Sequence, residues 1–202
     1  TLCLNGHKIT AANGMDAIKL TGGSFTLTDC KGVGTITHAS SKTGRGVYVS
    51  SGTFNMYGGS IADNNMVTDD YIGNDEIGGG VYIADDGATF NMYGGTICGN
   101  TAGSSGGGVY MGEKTNFNMY GGAICGNTAT RNFGGGVCAY KSSKFYMSGG
   151  EIGDNGTRCG GGVFVGDNST FTMTGGSITG NNVSHWRAGG GIYISDSAKK
   201  IT

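Results

Sequence analysis

Apolar and polar residues alternate along this chain in short bursts, and the bursts recur. One series runs Val47-Tyr48-Val49, Val81-Tyr82-Ile83, Val109-Tyr110-Met111, Val137-Cys138-Ala139, Val163-Phe164-Val165 and Ile192-Tyr193-Ile194, with first residues 34, 28, 28, 26 and 29 positions apart. A second, Phe-x-Met, occurs at Phe54/Met56, Phe90/Met92, Phe117/Met119, Phe145/Met147 and Phe171/Met173. A third, Gly-Gly-x-Ile, ends at Ile61, Ile97, Ile124, Ile152 and Ile178. Three residues beyond each of those isoleucines stands an asparagine: Asn64, Asn100, Asn127, Asn155 and Asn181. A weaker set, Ile18, Leu20, Phe25, Leu27 and Ile36, precedes them.

Alternation with a period of two marks short strands, and the glycines and asparagines between bursts mark turns. No helical stripe of useful length occurs. Three strands and three corners in each repeat predict an all-β fold, a single-stranded right-handed parallel β-helix of about seven coils of ~28 residues. At the rung spacing of about 4.8 Å the rod is about 34 Å long. Residues 1–202 form one solenoid domain on this reading, with 1–46 as degenerate first coils, 47–191 as regular repeats and 192–202 as the start of a last coil. Both ends fall inside strand-like segments with no polar or helical cap. The open ladders are therefore expected to pair with flanking coils of the same polypeptide or, end to end, with another copy in a filament.

One coil cannot stand alone. Full burial of Val47, Val49, Phe54, Met56 and Ile61 yields about 1.5–3 kcal/mol each, against about 1–2 kcal/mol of backbone ordering for every residue of the coil. Stacking supplies the rest, so like residues are expected to lie over like. The asparagine column suits a corner because asparagine tolerates a left-handed backbone and its stacked amides can hydrogen-bond along the rod. The glycine pairs at 58/59, 94/95, 121/122, 149/150 and 175/176 predict a second corner at which a Cβ would clash.

Composition narrows the classes. The 44 glycines carry no triplet period and there is no proline, which excludes collagen; 37% hydrophobic and 13% charged residues argue against disorder. A net charge of −1 without a basic stripe gives no reason to expect nucleic acid or an anionic membrane as partner, and no apolar run approaches the ~20 residues of a membrane-spanning segment. None of the Gly-Gly-Gly runs leads into a Lys-Ser/Thr pair or a helix, so they are not phosphate loops. The period also differs from that of the nonapeptide calcium-binding roll. No metal site and no cofactor is expected.

Cys3/Cys30 and Cys98/Cys125 are each 27 residues apart, one coil. That spacing permits disulfides, while the like direction of side chains in a parallel stack favours a simple column of small residues; both readings remain open. Cys138 and Cys159 are out of register.

If the flanking residues of each Val-x-Val face inward, Tyr48, Tyr82, Tyr110, Cys138, Phe164 and Tyr193 form an exposed column. Tyr57, Tyr93 and Tyr120 form a second. Such aromatic strips bind sugar faces or proteins, or pack on themselves to shield the ladder. The loops before each glycine triplet vary in length. One carries Asp69, Asp70, Asp75 and Glu76 near Tyr71; others carry Arg131, Arg158 and the cluster His185, Trp186 and Arg187, expected to gather on one edge where an acidic glycan is a candidate ligand.

The strings at 79–83, 90–95 and 97–102 resemble the right-handed parallel β-helix repeats of bacterial surface proteins of the adhesin-like and pectate-lyase-like kind. The Gly-Gly-Ala-Ile at 121–124 with Gly126-Asn127 is similar to motifs of chlamydial-type polymorphic outer-membrane proteins. The resemblance covers nearly the whole chain and implies a secreted or cell-surface location. It says less about function, because one solenoid carries many activities. The acidic loop and His185 lie about four coils apart, too far for one site, and no Gly-x-Ser-x-Gly or His-Glu-x-x-His occurs. The expectation is a noncatalytic adhesin-like structural module presenting a rigid surface to a glycan or protein, the competing one a polysaccharide lyase or hydrolase fragment.

Overall fold

Phe54, Phe90, Phe117, Phe145 and Phe171 are register partners on successive parallel strands. The repeat seen in the sequence is thus the repeat of the fold. The computed structural model, described for residues 1–39, 42–68, 76–85, 87–184 and 189–202, is a parallel β-solenoid with no helix among those residues. Its strands collect into sheets of thirteen, seven and five strands. The seven-stranded sheet gives seven rungs, hence about six full turns from first to last.

The largest sheet holds two rows. The long strands Ile18–Thr28 and Val47–Met56 each carry both the Val-x-Val and the Phe-x-Met positions. In later turns the long strand splits into two, Val81–Ile83 and Thr89–Met92 being the first such pair. The seven-stranded sheet takes the Gly-Gly-x-Ile segments, from Lys8–Ala11 to Ser177–Thr179, and the five-stranded sheet takes the residues just after each asparagine. Inside lie continuous stacks of valine, phenylalanine, methionine and isoleucine, nearly all fully buried. The phenylalanine rings follow one another at 5.0, 5.8, 4.9 and 4.7 Å from Phe54 to Phe171.

The asparagine column is a hydrogen-bonded ladder. Each side-chain amide donates to the Oδ1 of the next asparagine, at 2.9 Å at every step from Asn64 to Asn181. Each Oδ1 also accepts from the backbone N–H of the asparagine below it, and each Nδ2 donates to an isoleucine carbonyl. His38 fills the position before Asn64, its Nδ1 2.8 Å from Asn64 Oδ1 and its Nε2 2.7 Å from the Met15 carbonyl. The left-handed residue at this corner is not the asparagine, as expected from sequence, but the one before it: Asp63, Gly99, Gly126, Asp154 or Gly180. The asparagines are free to turn inward, where Asn100, Asn127 and Asn155 are completely buried.

The glycine pairs behave as expected. The second member has φ between +83° and +91° at Gly59, Gly95, Gly122, Gly150 and Gly176, and a Cβ on Gly122 would meet the Gly95 carbonyl oxygen at 2.6 Å. Cys98 and Cys125 are register partners with Cα atoms 4.7 Å apart and are disulfide-bonded. Cys3 and Cys30 are bonded as well, which settles the open choice for both pairs. Cys138 and Cys159 are free.

Candidate functional site

The residue between the two core positions of each Val-x-Val burst points away from the core, yet it is not exposed throughout. Tyr110, Cys138 and Phe164 retain 8, 1 and 3% of their accessible surface and build a second, smaller apolar cluster. The expected exposed column is in this stretch a covered one. The cause is the first glycine of each triplet. Gly78, Gly106, Gly134 and Gly160 have φ between +63° and +67°, and a Cβ on Gly106 would lie 2.7 Å from the Cβ of Tyr110. The chain can therefore fold back over the aromatic position, and Ile77 and Phe133 do so, the Phe133 ring stacking on Phe164 at 4.2 Å. Tyr48, Tyr82 and Tyr193 are half-buried.

A second wall rises on the other side. Between the two rows of the largest sheet, four residues separate Val49 from Phe54, but six separate Ile83 from Phe90 and five separate the equivalent residues in each of the next three turns. The extra residues project as turns. Their tips include Lys114, Lys141, Ser142, Asp167 and Asn168, all non-glycine residues with φ between +51° and +62°. Such conformations cost about 1–3 kcal/mol each and gather at functional sites.

Between the walls runs a groove of about 520 Å³. Tyr82, Tyr110 and Cys138 line its floor, Ile77, Ser104, Ser105, Asn132 and Phe133 one side, and Asp85, Glu113, Tyr140 and Lys141 the other. Toward the N-terminal turns the Arg45 guanidinium lies over the rings of Tyr48 and Tyr82, at 5.7 and 5.1 Å, while its Nε donates to the Ile77 carbonyl. The floor rings meet edge to face, Tyr48 with Tyr82 and Tyr82 with Tyr110.

Tyr110 is the unusual member. Its side chain is more than nine-tenths buried and lines the groove, and no described residue engages its hydroxyl. Burial above all pushes its phenol well up from the ordinary value, with Cys138, Tyr82, Tyr140 and Asp167 adding to the effect. The group therefore stays a neutral hydroxyl, able to donate and to accept. Burial likewise raises Tyr140, and it raises the Cys138 thiol, which is no nucleophile in that state.

The arginines are otherwise employed than expected. Arg131 pairs with Glu76, whose side chain is buried. Glu76 Oε1 accepts from the backbone N–H and hydroxyl of Thr68, and its carbonyl accepts from Ser104 N–H. Arg131 thus ties together loops two turns apart, across the one that carries Ser104, and helps hold the groove wall, instead of offering its charge to a glycan. Arg158 is exposed. Trp186 and Arg187, with His185, Asp69, Asp70, Tyr71 and Asp75, lie outside the described residues. The second aromatic column is exposed as expected, Tyr57, Tyr93 and Tyr120 retaining 53, 40 and 43% of their surface. Their rings stack on each other, so they offer edges and hydroxyls to solvent and not faces to a sugar. Among the described residues no cluster of three or more His, Cys, Asp or Glu could hold a metal ion.

The groove itself escaped the sequence reading, although its signal is there: the extra residues after Ile83, Met111, Ala139 and Val165 compared with Val49. No protein-family model, no curated protein and no solved structure matches this chain.

Proposed function

We propose that this chain is a noncatalytic glycan-binding module of an extracellular, adhesin-like surface protein, and that the groove over Tyr82, Tyr110 and Cys138 is its binding site. The observation that carries this reading is the Tyr110 hydroxyl, which opens to the groove floor from a mostly buried ring and has no hydrogen-bond partner among the described residues. That hydroxyl opens to the groove, so a ligand hydroxyl can take the place of water on it, donating and accepting in turn. The surroundings suit a saccharide. Ring edges and the Phe133 face take C–H surface, Asp85 and Glu113 accept from sugar hydroxyls, and Asn132, Ser104 and Ser105 both donate and accept. The walls are fixed by ladders and by the Glu76–Arg131 pair, so little ordering is left for binding to oppose. Likeness of the repeat strings to surface-protein β-helices supports an exposed location outside the cell.

A second reading, polysaccharide hydrolysis, has one observation in its favour. Asp85 and Glu113 each stand two residues beyond the register partners Ile83 and Met111, so two carboxylates line the groove one rung apart. A glycan array followed by titration of the best oligosaccharide tests the first reading: binding is expected, weakened about tenfold in Tyr110→Phe at unchanged stability. Equal affinity of the variant overturns the assignment, and release of reducing ends from the bound glycan replaces it with the enzymatic one.

A further inference from the structure

A different surface carries a separate chemistry. Tyr57, Tyr93 and Tyr120 occupy one position on three successive turns, outside the groove and partly exposed. The Tyr57 and Tyr93 ring centroids are 4.4 Å apart with planes 9° from parallel, and those of Tyr93 and Tyr120 are 4.9 Å apart at 14°. We propose that this tyrosine ladder is an oxidative cross-linking site, at which a one-electron oxidant of the peroxidase class joins neighbouring turns through a carbon–carbon bond between Tyr93 and Tyr57 or Tyr120.

The geometry selects these pairs. Removing an electron and the hydroxyl proton from a phenol leaves a radical whose unpaired electron resides in the ring π system, partly on the ortho carbons. Bond formation between two such radicals requires overlap along the ring normals. Cofacial rings hold that alignment before reaction begins, the condition under which proximity accelerates coupling. Other close tyrosine pairs are internal controls: Tyr48–Tyr82 and Tyr82–Tyr110 have nearly the same separation, 5.2 and 5.5 Å, but meet at 66° and 72°, and Tyr120–Tyr146 is wider, 6.2 Å at 62°. Tyr48, Tyr82 and Tyr110 are also more sheltered than the ladder, which faces solvent. Desolvation and the neighbouring phenols Tyr57 and Tyr120 raise Tyr93 above the ordinary phenol value, so the reacting state at neutral pH is the neutral phenol.

The balance is simple. Two phenols each lose one electron and one proton to the oxidant, and the two radicals form the bond. The joined carbons then release their hydrogens as the rings regain aromaticity and the oxygens are reprotonated. Over the whole reaction the protein loses two hydrogen atoms and one hydrogen peroxide becomes two waters. The product staples two turns outside the core.

The test uses the intact chain with horseradish-type peroxidase and hydrogen peroxide, read by intact mass and peptide mapping. Once the Cys98–Cys125 disulfide is reduced, a Tyr93–Tyr120 link still joins the tryptic peptides 46–114 and 115–131, which are then otherwise separate. Expected are monomers lighter by two hydrogens, bearing links only at 57–93 or 93–120, with dityrosine fluorescence lost in Tyr93→Phe and kept in Tyr82→Phe. Links at Tyr48, Tyr82 or Tyr110, links only between molecules, or an unchanged yield in Tyr93→Phe overturn the proposal. Because Phe keeps the ring stack, Tyr93→Phe retains the fold, and its unfolding midpoint confirms that the loss is chemical.

Discussion

Asn127 receives two hydrogen bonds from Asn100, one from the backbone N–H and one from the side-chain amide, both at 2.9 Å on the same Oδ1. Its own Nδ2 donates onward to Asn155 Oδ1 and back to the Ile97 carbonyl. All of these groups are buried, so no water replaces a missing partner. Asn127→Ala therefore strands donors and an acceptor at about 1–3 kcal/mol each, and a loss of at least about 3 kcal/mol is expected in urea unfolding. Asn181→Ala, on the last, partly exposed step of the ladder, is expected to cost only about 1 kcal/mol.

Glycines with similar φ values differ in what surrounds them. Gly122 (φ +87°) has the Gly95 carbonyl oxygen and the Met92 Cε within 2.7 Å of where a Cβ would stand, whereas Gly32 (φ +74°) has nothing within 4 Å. Gly32→Ala is expected to cost the intrinsic left-handed penalty of about 1–2 kcal/mol. Gly122→Ala adds a backbone clash between turns and is expected to lose clearly more in the same unfolding assay.

Lys141 sits on the groove wall with φ +53°. If the residue served only the turn, glycine would serve better. Lys141→Gly is expected to raise stability by up to about 1 kcal/mol by relieving strain, while weakening binding of a groove ligand. Unchanged affinity in a parallel titration removes Lys141 from the site.

The Asp29 carboxylate accepts backbone N–H bonds from Gly34 and Gly6, at 2.6 and 2.7 Å, and from Lys31. The Gly34 bond is the main cause holding its pKa below the ordinary aspartate value, against a smaller opposing effect of desolvation. The folded state thus binds its proton less readily than the unfolded chain. The stabilisation is present above the unfolded value of about 3.9 and is lost as pH falls through the lower folded one. Amide exchange at Gly6 and Gly34 is expected to speed up relative to other amides below about pH 4. Asp29→Asn removes that pH-dependent acceleration.

Cysteine chemistry separates the free thiols from the bonded pairs. Alkylation of the unreduced native protein is expected to label Cys159 and spare Cys138, whose thiol is buried and raised, until denaturant is added. Reduction before labelling exposes Cys3, Cys30, Cys98 and Cys125 as well. Labelling of Cys98 without reduction contradicts the bonded state.

The stacks of phenylalanine, methionine and isoleucine were legible because a solenoid writes its spatial neighbours at a fixed interval in the chain. The asparagine ladder and the role of the glycine pairs followed from the same interval. The covering of Tyr110 and Phe164 did not. It depends on loops that differ from turn to turn, such as the one bringing Phe133 onto Phe164, and a repeat pattern carries no information on where its exceptions fold. Arg131 was misread for the same reason, since its partner Glu76 comes from a loop of different length and composition two turns away.

The claim that the groove is the binding site is tested most directly by amide and side-chain chemical-shift mapping of the protein titrated with the best oligosaccharide from an array. Shifts are expected to concentrate at Tyr82, Ser104, Tyr110, Asn132 and Tyr140, with Tyr57, Tyr93 and Tyr120 undisturbed. Shifts confined to the tyrosine ladder or to the rod's ends contradict it.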